Sequence, residues 1–185
     1  MATTPSNMLA LGTKAPYFEL ENPLTEASEN LEELKGKKGT LLVFMSNHCP
    51  FVQHVIDKVV ELHEDYQAEG IQVIGINAND LEQSPEDSPE KMLDFIKERN
   101  ITFPYLYDES QAIAKAYQAA CTPDFYLFDD KLDLVYRGQM DESRPVMEMG
   151  KAFSHKERIL AIMPQFITLL QNYASPTLDL YYSRT

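Results

Sequence analysis

Two short apolar runs, TLLVFMS (40–46) and IQVIGINAND (71–80), enclose a segment with the periodicity of a helix. Short apolar runs bounded by turn residues are typical of strands that are buried on both faces of a sheet. Between the two runs, apolar residues from Pro50 to Ala68 recur at helical spacing, and Gly70 is suited to end the helix. A strand, a helix and a second strand in this order favour the α/β class.

The rest of the chain extends this alternation of strands and helices. Before the first apolar run we predict a first strand over 16–22, and then a brief helical turn followed by a Gly/Lys turn within 27–39. After the second run we predict a helix from the Ser88 cap to about Arg99, an extended piece over 101–108, a helix over 109–120, a β-hairpin over 124–138 and a last helix from about Ser154 to Tyr173. We therefore predict a mixed β-sheet flanked by helices on both faces, with a closing β-hairpin and a C-terminal helix.

Length and composition narrow the class of protein. The 185 residues suggest one domain over 1–185, with a polar tail at 174–185. A net charge of −13 argues against a nucleic-acid partner, because phosphate binding needs a basic surface. No run approaches about 18 uncharged apolar residues, so no membrane span is predicted. The first residues lack a basic start followed by an apolar core, so we expect a cytoplasmic location.

Cys49 lies where the first apolar run ends and the helical pattern begins. Helix N-termini carry partial positive charge and unpaired N–H groups, so thiols placed there ionise more easily. Pro50 suits the first helical turn, and Ser46 supplies a hydroxyl nearby. This position predicts a redox-active thiol, since the thiolate is the nucleophile. The alternative is a small thiol that fills the core.

Polar residues near Cys49 are candidate modulators of its chemistry. Gln53 lies one helical turn further along, and His48 precedes the helix and can approach the sulfur. His54 points roughly 140° away from Cys49 on an ideal helix, so it is a poor candidate base. A cysteine–histidine pair without further cysteines is a weak zinc signal. We therefore expect neither a bound metal nor a cofactor. His63, further along the helix, is predicted to be solvated or to cap the helix.

Thr122 and Pro123 directly precede the predicted hairpin. An X–Pro bond can be cis, and a cis proline usually marks a tight turn that shapes a site; an ordinary trans proline at the start of a strand is the alternative. Cys121 stands two residues before Pro123 and is the second of two cysteines. Two cysteines are too few for a disulfide scaffold.

These two elements, a strand–Cys–Pro–helix and a later Thr–Pro before a hairpin, resemble the thioredoxin superfamily. More narrowly, the runs NHCPFVQHV, NDLEQSPEDSPEKM and FPYLYDESQAIAKAYQAACTPDFYLFD resemble its peroxiredoxin-like branch, the alkyl hydroperoxide reductase and thiol-specific antioxidant redoxins. The resemblance covers roughly residues 9 to 172. It implies a thioredoxin-like fold in which Cys49 lies near Thr122 and Pro123, and it implies an antioxidant or other thiol-dependent activity.

The resemblance also implies roles for single residues. Ser46, Cys49 and Pro50 match the peroxiredoxin pattern of a Thr or Ser three residues before Cys–Pro. Val52 stands where thioredoxins have the second cysteine of Cys-x-x-Cys, so that local disulfide cannot form. No arginine accompanies CTPDF, where the peroxidatic arginine is expected. Its candidates are Arg137 and Arg144, which match the pattern poorly.

The sequence favours a thiol-dependent oxidoreductase. The Cys49 thiolate is expected to attack a peroxide or a protein disulfide. Cys121 is the candidate resolving thiol inside the chain, and an external thiol is the alternative reductant. Two other readings stay open: a non-catalytic thioredoxin-fold binding module, and a metal-handling protein. The copper-assembly relatives of this fold use Cys-x-x-x-Cys, and Gln53 breaks that motif. The oligomeric state is left open.

Overall fold

The computed structural model of the protein describes residues 9–138. Its elements in chain order are β1 (Glu19–Asn22), β2 (Ala27–Asn30), α1 (Leu31–Leu34), β3 (Gly39–Phe44), α2 (Pro50–Tyr66), β4 (Ile71–Asn77), α3 (Pro89–Glu98), β5 (Tyr105–Tyr107), α4 (Ala112–Ala116), β6 (Asp124–Asp129) and β7 (Leu134–Gly138). Short 3₁₀ turns at Gln67–Glu69 and Pro85–Asp87 precede β4 and α3. The predicted C-terminal helix and the tail at 174–185 lie outside the described residues, so the single domain over 1–185 stays a prediction.

One mixed sheet organises these elements in the strand order β2-β1-β5-β4-β3-β6-β7. The central strands β3, β4 and β5 are parallel to one another, because α2 and α3 carry the chain back between them. The hairpin strands β6 and β7 are antiparallel, and β6 pairs antiparallel with β3. The predicted mixed sheet with its closing hairpin is thus confirmed.

Helices pack on both faces of this sheet. Leu41 and Val43 of β3 point to the face on which α2 and α3 lie, which we call the α2 face. Leu42 and Phe44 point to the opposite face with α1 and α4, which we call the α4 face. Successive strand residues alternate between faces, so an uninterrupted apolar run is what a doubly covered central strand requires.

Local signals in the sequence set the helix boundaries. Pro50 and Pro89 occupy the first helical positions of α2 and α3, where the missing N–H costs no hydrogen bond. The Ser88 hydroxyl accepts a hydrogen bond from the Lys91 N–H at 3.3 Å and caps α3. Gly70, with φ of 95°, ends the turn that follows α2. These starts and stops agree with the sequence predictions.

The helical turn predicted within 27–39 is present as α1, but the strand that precedes it was not predicted. The segment begins with the edge strand β2, which pairs with β1 from Asn30 opposite Glu19 to Ala27 opposite Asn22. Its sequence, Ala-Ser-Glu-Asn, contains no β-branched or aromatic residue. Pairing with β1 therefore outweighs a local preference that does not favour a strand.

The prediction that His63 is solvated or caps the helix was wrong. Its side chain is buried in α2 at 3% exposure rather than solvated, and its ring packs edge-on against Phe103 at 5.8 Å between centroids. Its Nδ1 atom has no hydrogen-bond partner in the described part of the chain. Burial lowers the pKa of His63 below its ordinary value of 6.5.

Candidate active site

Cys49 occupies the N-cap position of α2. Its backbone is extended, with φ of −67° and ψ of 120°, and its side chain caps no helical N–H. The half-buried thiol packs against the core of the α2 face. The chain reaches this position because β3 ends at Phe44 and a short loop leads to Pro50. The sulfur therefore lies at the positive end of a 17-residue helix.

The sheet brings Thr122 to Cys49 although 73 residues separate them. Phe44 at the end of β3 pairs with Asp124 at the start of β6, so the segments beyond these strand ends lie side by side. The Cys49 thiol donates a hydrogen bond to the Thr122 carbonyl oxygen at 3.2 Å. The Thr122–Pro123 peptide bond is cis. This is the juxtaposition that the resemblance implies.

A buried carboxylate supports the loop on the other side of Cys49. Asp87 is fully buried, and its Oδ1 accepts hydrogen bonds from the Asn47 backbone N–H at 2.6 Å and from Asn77 Nδ2 at 3.1 Å. Its Oδ2 accepts from Asn79 Nδ2 at 2.6 Å and lies 2.9 Å from His48 Nδ1. We call these five residues the Asp87 cluster. It joins the loop before Cys49, the end of β4 and the turn before α3.

Asn47 is the centre of a second layer of hydrogen bonds. Its side chain donates to the Glu86 carbonyl at 2.9 Å and accepts from the Tyr105 hydroxyl at 3.0 Å. Its carbonyl accepts from Gln53 Nε2 at 3.1 Å. Gln53, a predicted modulator of the thiol, thus acts on the loop that carries Cys49. Every polar group of Asn47 is used, which holds this loop in place.

Ser46 and His48 lie together in the same loop. The Ser46 hydroxyl is buried and lies 3.2 Å from His48 Nδ1. Among the described residues His48 is its hydrogen-bond partner, and the structure gives it none to Cys49. The His48 side chain is 44% exposed, so its ring contacts Ser46 and Asp87 and is also accessible to solvent.

Cys121 is half-buried and forms no disulfide with Cys49. It lines a cleft of about 370 Å³ between the end of the parallel strands and α4. The cleft walls are formed by Phe44, Ile76, Ala78, Asn79, Gln111, Ala114, Lys115, Ala119, Ala120, Cys121 and Thr122. Thr122 belongs both to this cleft and to the contact with Cys49, so the cleft adjoins the thiol site.

Arg137, a candidate peroxidatic arginine, is buried away from Cys49. Its guanidinium stacks on Tyr126, a residue of the α4 face, at 4.5 Å from the ring centroid. Its Nη2 donates to Asp124 at 3.0 Å and to the Gln118 carbonyl at 2.8 Å. Cys49 packs on the α2 face, so the two lie on opposite sides of the sheet. Arg144, the other candidate, lies outside the described residues.

Within residues 9–138, no three His, Cys, Asp or Glu side chains are grouped to hold a metal ion. The same part of the chain contains no helix long and apolar enough to span a bilayer.

Sequence reasoning missed Asp87, Asn77, Asn79 and Tyr105. Asp87 stands just before the Ser88 cap, where an acidic residue is ordinary. The available signal was the clustering of Asn and Asp directly after the second apolar run, where a parallel strand ends. Connecting it to the loop before Cys49 needs the pairing of β3 with β4.

The family comparison matches residues 11–137, more than half of the chain. The chain belongs to the AhpC/TSA family. The matched region of this AhpC/TSA protein begins before β1 and ends within β7, so it includes Cys49, the Asp87 cluster and Thr122.

The chain is also similar to individual proteins. Thiol-disulfide oxidoreductase ResA of Halalkalibacterium halodurans is 29% identical over 133 residues, which cover 71% of this AhpC/TSA chain and 70% of ResA. An uncharacterised conserved protein from Geobacillus kaustophilus has a crystal structure that matches with a TM-score of 0.79 at 45% identity, over 96% of this chain and 90% of that one. The thioredoxin domain of a thiol-disulfide oxidoreductase from Bacteroides vulgatus matches with a TM-score of 0.62 at 18% identity, over 71% and 90%. The thioredoxin-like fold is thereby confirmed.

Proposed function

We propose that this AhpC/TSA protein is a thiol-disulfide oxidoreductase whose reactive group is Cys49. The observation that carries the proposal is the contact between the Cys49 thiol and the Thr122 carbonyl beside the cis Pro123, at the N-terminus of α2. A half-buried thiol at a helix N-terminus has the partial positive charge of the helix beside its sulfur and still admits a substrate. The ResA relatives, named thiol-disulfide oxidoreductases, support the same chemistry.

The reaction is a series of thiol–disulfide exchanges. The Cys49 thiolate attacks one sulfur of a substrate disulfide, forms a mixed disulfide and releases the other sulfur as a thiolate. A second thiol then attacks the Cys49 sulfur of the mixed disulfide, which releases the second substrate sulfur as a thiolate and leaves the second thiol in a disulfide with Cys49. A further external thiol attacks that disulfide and restores reduced Cys49. The substrate gains two electrons, one from Cys49 and one from the second thiol, and external thiols replace them, so the sulfur itself supplies the chemistry.

A disulfide substrate suits the described site better than a peroxide. Peroxide reduction gains from a fixed cation near the sulfur and the departing oxygen. Arg137 is engaged by Asp124 and Gln118 on the other face of the sheet. The Ser46 hydroxyl contacts His48. Antioxidant activity toward peroxides is therefore the second candidate, supported by the family match.

The second thiol comes either from outside or from Cys121. Val52 replaces the second cysteine of the thioredoxin motif, so the mixed disulfide persists until another thiol reaches it. Cys121 is next to Thr122, which contacts Cys49, and is the candidate inside the chain. The predicted cytoplasmic location agrees with supply by an external thiol system and stays a prediction.

The test compares the full chain with Cys49→Ser and Cys121→Ser. The substrate is a disulfide-bonded model peptide, dithiothreitol is the reductant, and mass spectrometry detects the mixed disulfide. The Cys49→Ser variant should fall to the uncatalysed rate and form no mixed disulfide. Retained activity in Cys121→Ser would assign resolution to the external thiol.

Hydrogen peroxide replaces the peptide in a parallel arm. Faster turnover of peroxide than of disulfide would overturn the choice of substrate. Unchanged turnover in Cys49→Ser would overturn the role of Cys49. A parent protein that turns over neither substrate would favour a non-catalytic binding module.

A further inference from the structure

The Asp87 carboxylate has four hydrogen-bond donors in the described structure, and three of them are neutral. These are the Asn47 backbone N–H and the side-chain amides of Asn77 and Asn79. The fourth is His48 Nδ1, the only described partner of Asp87 that can become positive. Burying a carboxylate without a counter-charge costs free energy. His48, when protonated, supplies the positive charge that offsets the negative charge of Asp87.

The contact with Asp87 also fixes where the His48 proton lies. An ionised carboxylate only accepts hydrogen bonds, so Nδ1 of His48 carries the hydrogen that faces Oδ2. The neutral ring then has its lone pair on Nε2. Because the side chain is 44% exposed, the ring is open to solvent and to substrate. Asp87 thereby selects the tautomer in which Nε2 is a base.

His48 is the residue directly before Cys49. The Cα atoms of neighbouring residues lie about 3.8 Å apart. In the described structure the Cys49 thiol donates to Thr122 rather than to His48, so a proton would pass between the two side chains through one bridging water. Catalytic nucleophiles are commonly activated by such a base, oriented in turn by a third group.

We propose that His48 is the proton acceptor for Cys49 and that Asp87 is its positioning residue. Neutral His48 takes the thiol proton on Nε2 through the bridging water, which leaves a Cys49 thiolate next to an imidazolium stabilised by Asp87. The same proton is later given to the thiolate that leaves the substrate disulfide, so the charges balance over the exchange. This inference rests on the proposed function, because it assigns the base of the same reaction.

Other titratable groups around Asp87 do not replace His48. Tyr105 and Tyr107 face Asp87 from β5, and burial together with the Asp87 charge raises the pKa of both phenols. Both therefore stay neutral around neutral pH. The carboxylates of Asp80, Asp108 and Glu109 lie nearer to Tyr107, on which they act, and Glu86 is exposed beside Asp87.

The experiment measures the rate of Cys49 alkylation by iodoacetamide as a function of pH. It uses the full chain with Cys121→Ser as background, and the variants Asp87→Asn, His48→Gln and the double variant. Each single variant should move the midpoint upward by about one pH unit, which slows alkylation about tenfold at pH values below both midpoints. The matched control, Glu86→Gln, removes an exposed charge one residue away and should change nothing.

The double variant distinguishes positioning from mere structural support. In the His48→Gln background, Asp87→Asn should leave the midpoint unchanged or lower it, because only direct repulsion between Asp87 and the thiolate remains. A structural role predicts the same upward shift in either background, and that result would overturn the inference. His48→Gln changes a partly exposed side chain, so it tests the base even if Asp87→Asn folds poorly.

The parent protein separates this inference from the proposed function. A parent midpoint at the ordinary thiol value, about 8.5, would overturn both. A lowered parent midpoint that neither Asp87→Asn nor His48→Gln moves would overturn the inference alone and leave Cys49 as the reactive thiol.

Discussion

Asp87 and Asp124 are both fully buried carboxylates, but their charges are compensated in different ways. Asp124 forms an ion pair with Arg137 at 3.0 Å, and both side chains are inaccessible to solvent. It also accepts a hydrogen bond from the Tyr126 hydroxyl at 3.1 Å. Asp87 is held by three neutral donors and by His48, whose charge depends on pH.

The two carboxylates flank the contact between Cys49 and Thr122. Asp124 directly follows Pro123, whereas Asp87 binds the loop that leads into Cys49. An arginine stays charged at every pH that a folded protein meets, so the Asp124 pair can hold the turn at Thr122 without exchanging protons. A histidine can gain and lose its proton near neutral pH. The difference assigns support of the site to one carboxylate and proton handling to the other.

The largest expected effect comes from breaking the ion pair between Asp124 and Arg137. Arg137→Met leaves the Asp124 carboxylate buried beside an apolar side chain. Removal of one partner from a buried ion pair typically lowers the free energy of unfolding by about 3–5 kcal/mol. Urea unfolding, followed by circular dichroism at neutral pH, measures the loss.

Arg99→Met is the matched control for this substitution. Arg99 also contacts acidic residues, but Asp57 and Glu98 are 73% and 70% exposed. Exposed pairs contribute about 0–1 kcal/mol. If Arg137→Met and Arg99→Met lower the free energy of unfolding equally, the buried ion pair of Asp124 stabilises the protein no more than an exposed one. The contrast between Asp124 and Asp87 would then not hold.

A smaller effect is expected when the Asp87 carboxylate is removed. Asp87→Ala leaves the Asn47 N–H and two amide side chains without their acceptor, and stranded buried donors cost about 1–3 kcal/mol each before the structure relaxes. His48 can turn to solvent, so no permanent charge is left unpaired. Water can enter the space left by the carboxylate and accept these hydrogen bonds, so we expect a net loss of about 2 kcal/mol in the free energy of unfolding, from the same urea assay.

Glu86→Ala serves as the control, because surface substitutions usually change stability by no more than about 0.5 kcal/mol. If Asp87→Ala lowers the free energy of unfolding as much as Arg137→Met does, the partners of Asp87 stabilise its charge as strongly as Arg137 stabilises that of Asp124. That outcome would remove the physical distinction on which the proton-handling role depends.

The parts of this arrangement that local sequence patterns encode could be predicted. Periodicity predicts the strands and helices of the mixed sheet, and the position of Cys49 follows from the junction of a strand and a helix. The placement of Thr122 beside the thiol came from the family resemblance, which carries information about the fold that periodicity lacks.

The Asp87 cluster could not be predicted in the same way. Its members come from the loop after β3, the end of β4 and the turn before α3, so their hydrogen bonds exist only once those strands are in register. In the sequence, Asp87 is an acidic residue before a helix cap and Arg137 is an arginine near the end of a hairpin. Which carboxylate receives the permanent cation is decided by the side of the sheet on which each lies.

His63 is a third buried titratable side chain, and its environment provides less counter-charge than that of Asp87 or Asp124. Burial lowers the pKa of His63, and the neighbouring Glu64 carboxylate opposes this effect only in part. The unfolded chain therefore binds a proton on His63 as the pH falls through about 6.5, whereas the folded chain binds that proton only at lower pH. Stability is full above about pH 6.5 and falls as the pH decreases toward the folded-state pKa, because the unfolded state then holds more protons.

His63→Leu should flatten this part of the stability profile while having the smallest effect of the three changes at neutral pH. Urea unfolding at several pH values, from neutral to mildly acidic, measures the slope. Ile56→Val, a buried substitution on the same helix, should lower stability by about 0.5–1.5 kcal/mol equally at all pH values. If His63→Leu keeps the slope of the parent, the folded chain accepts the proton on His63 without cost. Burying a charge without a counter-charge would then cost no stability in this protein. The different counter-charges of Asp87 and Asp124 would no longer explain the different roles of the two carboxylates.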